Sequence, residues 1–343
     1  MPPRPLLIIT TALLSLQAAA TPVLLKDISS FHIGGQTVSL EGLPVSQISA
    51  IAGTQRTSNP NGDYQVGQMY VQSYQLEEPR ARYPLLMWHG GGLTGVTWET
   101  RPDGQPGWQN FFMRRGHSTY VSDAYERGRA SWPRTPELID TEPEHRTLNQ
   151  AWSMFRFGPD NAYPQRRTFP GAQFPVDHAD QFAKQFVARW ASPQATQRAQ
   201  AAYDQLVEKV CPCVILAHSQ GNVFAFNAAL KYPDKIKAIV ALEPAAGPDP
   251  LRVDITPATK VPHLVIWGDF IDQSPLWQRY RAQSNTFLNA VRDAGGQVDL
   301  IDLPQQGIRG NSHMAMMEKN ADQVAAMIQQ WFDSNGLMLP IAR

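Results

Sequence analysis

Six short apolar runs recur from residue 84 onward: "PLLMWHG" (84–90), "STYVSDA" (118–124), "CVILAHS" (213–219), "AIVALEP" (238–244), "HLVIWGD" (263–269) and "QVDLIDLP" (297–304). Helical patterning fills most of the intervals between them. A strand exposed on one face alternates apolar with polar residues, whereas a continuous run is buried on both faces. Strand and helix in alternation therefore predict an α/β fold, a mostly parallel sheet with helices on both faces. Upstream, "SFHIGGQTVSL" (30–40) alternates around Gly34 and Gly35 as a β-hairpin would, and "YQVGQMYVQSYQL" (64–76) continues in strand-like fashion. These stretches predict antiparallel edge strands at the N-terminal side.

Length and charge narrow what such a sheet can serve. With 343 residues, 43% of them hydrophobic, the chain can bury a substantial core. Thirty Lys and Arg balance thirty Asp and Glu without a long run of one sign. That balance gives no footprint for nucleic acid or an anionic membrane and points to a small-molecule partner. Residues 1–20, "MPPRPLLIITTALLSLQAAA", carry one Arg, an apolar run and a small-residue end. They read as a signal peptide ahead of a 21–343 domain, which predicts a secreted or periplasmic protein. The apolar run falls short of the roughly 20 residues that span a bilayer, so no membrane span is expected. The two cysteines, Cys211 and Cys213 in "VCPCVIL", leave a disulfide open, since an i, i+2 pair is expected near the upper limit of allowed Cα separation. One CxC supplies half of a tetrahedral site, so no metal is expected. Oligomeric state is not legible.

Between about 132 and 192 the strand–helix rhythm breaks. The segment is rich in Pro, Arg and aromatic residues and offers no strand. An insertion of that length between neighbouring strands reads as a cap over a site. Trp132, Trp152 and Phe155 are candidate substrate-binding residues there, although ordinary packing of the cap would use the same aromatics.

The run "AHSQG" (217–221) lies where a buried strand must become a helix. Small-x-Ser-x-Gly at that junction is a nucleophile elbow, a tight turn that lifts the Ser219 hydroxyl above the sheet. Taken alone, a Ser there is equally a helix N-cap. A hydroxyl used as nucleophile also needs a base, an acid to orient the base, and donors for an oxyanion. "WHGGG" (88–92) follows the first apolar run, and such a loop turns backbone N–H groups inward. Gly91 and Gln220, the residue after Ser219, are the candidate oxyanion donors, with His89 organising the loop. Among eight His, His313 in "RGNSHMAMMEKN" follows the last strand run and is the candidate base. His218 is expected to point away from the nucleophile into the supporting shell. Two carboxylates compete as acid: Glu243 in "VALEPAAG" and Asp272 in "VIWGDFID", with Asp269 nearby. Both follow strand ends, where function gathers in open α/β sheets, and their placement leaves the choice open.

"HGGGLTGVTWETRPDG", "ERGRAS", "AHSQGN", "LEPAAG" and "GNSHMAMMEKN" together resemble a family of secreted bacterial α/β-hydrolase esterases whose acid is a Glu after the sixth strand of the family's sheet. The resemblance spans most of the chain after residue 20. It implies the α/β-hydrolase fold, a serine esterase acting on carboxylic esters, and Ser219, Glu243 and His313 as triad, with Asp272 the alternative acid. Relatives carry two adjacent Cys where this chain has Gly91 and Gly92. Neither metal nor organic cofactor is implied. A lactonase, amidase or peptidase would share these residues, and a non-catalytic binding protein on the same fold would usually have lost one of them.

Overall fold

The computed structural model describes residues 22–130, 138 and 142–340. The proposed signal segment and Trp132 lie outside these residues. The strands are β1 (Leu25–Leu40), β2 (Ser46–Ser49), β3 (Gln55–Ser58), β4 (Gly62–Leu76), β5 (Leu85–Trp88), β6 (Thr119–Asp123), β7 (Cys213–His218), β8 (Ile236–Leu242), β9 (His263–Trp267) and β10 (Val298–Asp302). Eight of them form one sheet in the order β1-β4-β6-β5-β7-β8-β9-β10, and β2 pairs with β3 as a separate ribbon. From β6 across to β10 every pairing is parallel, while β1, β4 and β6 pair antiparallel. All six apolar runs are strands of this sheet.

The helices are α1 (Val96–Glu99), α2 (Trp108–Met113), α3 (Leu148–Met154), α4 (Ala179–Ala183), α5 (Pro193–Val210), α6 (Gly221–Lys231), α7 (Pro275–Asp293) and α8 (Ala321–Ser334). Successive residues of β7 point to opposite faces. Ile215 and Ala217 join Tyr203 and Leu206 of α5 and Phe226 of α6 in one core. Val214 and Leu216 join Val324 and Ile328 of α8 in the other. Each face of the sheet thus has its own hydrophobic layer, which is why the strand sequences lack alternation.

At the N-terminal edge the hairpin expectation is corrected. β1 runs straight through Gly34 and Gly35, pairing Gly34 with Gln68 and Gln36 with Val66 of β4. The two glycines answer to different neighbours: a Cβ on Gly34 would stand 2.9 Å from the Ala202 backbone of α5, and one on Gly35 would stand 2.9 Å from the Gln68 nitrogen of β4. Cys211, which ends α5, is disulfide-bonded to Cys213 at the start of β7, with Cα atoms 4.4 Å apart, at the short end of the usual range and not at its upper limit as expected.

Residues 142–192 carry α3, α4 and two single-turn 3₁₀ helices. No strand occurs there among the described residues, though Glu144 and Arg189 form an isolated antiparallel bridge. The aromatic side chains of this segment, Trp152, Phe157, Phe174 and Phe182, belong to the same core cluster as Met87 and Leu216 of the sheet. No helix among the described residues is long and apolar enough to cross a membrane.

Candidate active site

Ser219 lies between the end of β7 and the start of α6 with φ +53°. A non-glycine residue in the left-handed region costs on the order of 1–3 kcal/mol and persists only where its surroundings hold it. Here the Ser219 N–H donates to the Leu242 C=O at 3.0 Å, and its own C=O accepts from the Asn222 N–H at 3.1 Å. Gly221 lets α6 approach the sheet, since a Cβ there would stand 2.8 Å from the His89 carbonyl oxygen. The hydroxyl is thus presented at the head of α6 on the carboxyl edge of the sheet.

The loop after β5 is organised by His89. Its Nε2 accepts the Ala124 N–H at 3.0 Å, which leaves the proton on Nδ1 to be donated to the Gly90 C=O at 2.8 Å. Burial, then the nearby Arg127 charge, lower the His89 pKa to about 4, so the ring stays neutral. In a trans peptide the C=O and the following N–H point in opposite directions. Holding the Gly90 carbonyl toward His89 therefore turns the Gly91 N–H away from it. Among the described residues neither the Gly91 N–H nor the Gln220 N–H donates to a protein acceptor.

His313 is 1% exposed, in the loop between β10 and α8. Its N–H donates to the Phe155 C=O at 2.9 Å, and its C=O accepts from His218 Nε2 at 2.9 Å. His218, the residue before Ser219, thus points into the supporting shell, its ring centroid 4.4 Å from that of His313. On another side the imidazole packs against Trp277 at 3.9 Å. Its Nδ1 lies 3.3 Å from Glu243 Oε2, which assigns the proton to Nδ1 and leaves Nε2 as the basic nitrogen. No hydrogen bond links Ser219 Oγ to Nε2 in this structure; such contacts tighten when substrate binds. Burial first, then the positive charges of Arg156 and Arg146, hold the His313 pKa well below the usual imidazole value.

Glu243 directly follows β8 and is fully buried, with φ +50°. The structure puts it, and not Asp272, against the imidazole. Asp272 lies exposed in the short 3₁₀ turn before α7, its Oδ2 accepting from the side chain of neighbouring Gln273 at 3.0 Å. Asp269 also stays off the imidazole. Its Oδ2 accepts the Gly310 N–H at 3.0 Å, and its N–H donates to the Asn311 C=O at 2.6 Å, clamping the His313 loop.

Sequence reasoning missed two residues that hold this assembly. Arg156, 0% exposed, donates from Nη1 to Glu243 Oε2 at 2.9 Å and from Nη2 to Oε1 at 2.7 Å, while its Nε donates to the Asp269 C=O at 2.9 Å. The Gly268 N–H adds a further bond to Oε1 at 2.5 Å. The Glu243 carboxylate is thereby charge-compensated and fixed by a two-pronged guanidinium contact. Glu318 is the second. Buried behind the loop, it accepts the Ser312 N–H at 2.6 Å and the Asn311 side-chain amide at 2.6 Å. Burial raises its pKa to about 7 despite those donors. Arg156 carries no local signal, standing 87 residues from Glu243 in a segment without a motif. Glu318, by contrast, lay inside the stretch that marked His313.

The aromatic candidates of the insertion divide. Trp152 is buried among Phe157, Tyr163 and Phe174, its indole N–H donating to the Arg167 C=O at 2.9 Å. Phe155 stacks on the His313 ring at 5.8 Å and borders the site. Arg129 anchors the loop after β6 through Asp123 at 2.8 Å, as Arg127 does more weakly through Glu126 at 3.3 Å. Among the described residues no cluster of His, Cys, Asp and Glu could hold a metal ion.

No family model matches the chain. A probable secreted lipase of a fungal species (strain ATCC 74256) is 27% identical over 328 residues, covering 79% of this chain and 87% of that protein. The solved structure of a bacterial esterase is 34% identical and superposes with a TM-score of 0.80, covering 92% of this chain and 98% of the other. With identity and fold shared over nearly the full length of both chains, this protein belongs to the family of α/β-hydrolase-fold enzymes of esterase and lipase type that includes the bacterial esterase.

Proposed function

We propose that the protein is an exported serine esterase that hydrolyses carboxylic esters through an acyl-enzyme on Ser219. The observation that carries this reading is the buried Glu243–His313 pair at 3.3 Å, next to a serine held at φ +53°. His313 Nε2 takes the Ser219 proton as Oγ attacks the ester carbonyl. The amides of Gly91 and Gln220 hold the oxyanion, and the imidazolium returns the proton to the leaving alcohol. Water, activated by the same imidazole, then releases the carboxylic acid. Glu243 fixes the tautomer and stabilises the imidazolium without itself taking the proton. Residues 132–192 act as a cap, and residues 1–20 as the export signal of a secreted or periplasmic protein. The test is turnover of 4-nitrophenyl esters of graded acyl length, set beside lactones and anilides. Ester hydrolysis is expected to dominate and to fall by about four to six powers of ten in a folded Ser219→Ala variant. Undiminished hydrolysis by that variant would overturn the reading, and a preference for lactone or anilide would move the activity to that class.

A further inference from the structure

Two guanidinium groups, of Arg146 and Arg189, face the loop at Gly91 and Gly92, and the charge of a third, Arg127, acts on Arg146. Arg127 is 4% exposed and pairs with Glu126 through Nη2 at 3.3 Å. Arg189 spends Nε and Nη2 on Glu144, at 2.9 and 2.7 Å, and keeps Nη1 toward Gly91, where a Cβ would stand 3.3 Å from it. Arg146 has no carboxylate partner among the described residues. Its Nη1 donates weakly to the Gly91 C=O at 3.4 Å and would stand 3.1 Å from a Cβ on Gly92. Its guanidinium lies 5.0 Å over the Phe155 ring, which itself stacks on His313. Arg146 therefore bridges the two halves of the site, the loop that offers the Gly91 N–H and the imidazole.

That position is electrostatically poor for a cation in the chain alone. Burial first, then the like charge of Arg189, lower the Arg146 pKa to about 10; Arg127 adds to the effect, and only Glu144 and Tyr280 oppose it. Glu144 is already engaged by Arg189, and Glu126 by Arg127. A partly desolvated guanidinium without its own anion is stabilised when one arrives, and its planar fork of donors matches a carboxylate.

We propose that Arg146 is the docking point for a carboxylate carried by the substrate, so that the preferred substrate is an ester bearing a free carboxylate within a few atoms of the scissile carbonyl. The inference rests on the serine-esterase reading and names its substrate class. Two matched pairs place the carboxylate on either side of the bond: monomethyl glutarate against methyl pentanoate for the acyl side, and 3-acetoxypropanoate against 3-acetoxypropanamide for the alcohol side. Acid release followed by pH-stat gives kcat/KM for each. In at least one pair the wild-type enzyme is expected to favour the charged ester by about tenfold or more, a preference that weakens as salt screens the contact. The charged-to-neutral ratio should fall by about tenfold or more in Arg146→Met and invert in Arg146→Glu, as expected for the loss of one charge-assisted contact. A wild-type ratio at or below one in both pairs overturns the proposal without any variant needing to fold, as does a ratio that Arg146→Met leaves unchanged. Neutral-ester turnover that Ser219→Ala abolishes reports the parent reading separately from the ratio.

Discussion

At the residue scale, Glu243 Oε2 lies 3.3 Å from the His313 ring while Asp272 is exposed, so the two carboxylates carry different expectations on removal. Ser219 and His313 stand out in the sequence because each sits at a junction whose local pattern is informative, a strand-to-helix turn and a loop after the last strand. Glu243 and Asp272 both follow strands, and nothing in spacing separates them. Only the fold puts one 3.3 Å from the imidazole and leaves the other exposed. Glu243→Gln is expected to lower kcat by about 10⁴ with the fold intact, while Asp272→Asn stays within about tenfold; kinetics on one 4-nitrophenyl ester measure both. The pH profile follows from the charges. Burial, Arg156 and Arg146 disfavour imidazolium, so the acid limb of kcat/KM should lie below the ordinary imidazole value of about 6.5. Removing a positive charge raises the pKa of a neighbouring imidazole, so Arg156→Met should move that limb to higher pH as well as lower the rate. A limb that stays put while the rate falls would mean that Arg156 acts through packing alone.

At the scale of elements, the parallel strands β5, β7, β8 and β9 were legible almost to the residue because burial on both faces leaves a continuous apolar signature. Gly34 and Gly35 misled for a physical reason: a glycine serves a tight turn and a close backbone approach equally well, and the helix that crowds Gly34, α5, lies more than 150 residues away in sequence. The break in rhythm between about 132 and 192 says nothing of how the aromatic residues there pack. Trp152 reads equally as a pocket wall and as core, and the structure sets it at 2% exposure among aromatic rings continuous with the core beneath the sheet. Trp152→Ala should therefore cost about 3 to 5 kcal/mol in denaturant unfolding, with ester preference little changed. Phe155→Ala, next to His313, is expected to alter kinetics as well.

At the scale of the whole molecule, the sheet gathers onto one edge groups drawn from far-apart parts of the chain: the loop after β5, the elbow after β7, Glu243 after β8 and the His313 loop after β10. Arg156, from the segment between β6 and β7, joins them through its two bonds to Glu243. No local pattern could disclose that link, because a buried ion pair across 87 residues exists only once both segments are folded. All of this converges on the reactivity of a single hydroxyl. The most direct measurement treats the folded protein with a fluorophosphonate and locates the adduct by peptide mass spectrometry. One stoichiometric phosphonylation is expected, on Ser219, lost in Glu243→Gln and His313→Ala at matched times. An unlabelled Ser219 in native protein, or an adduct on another residue, would contradict it.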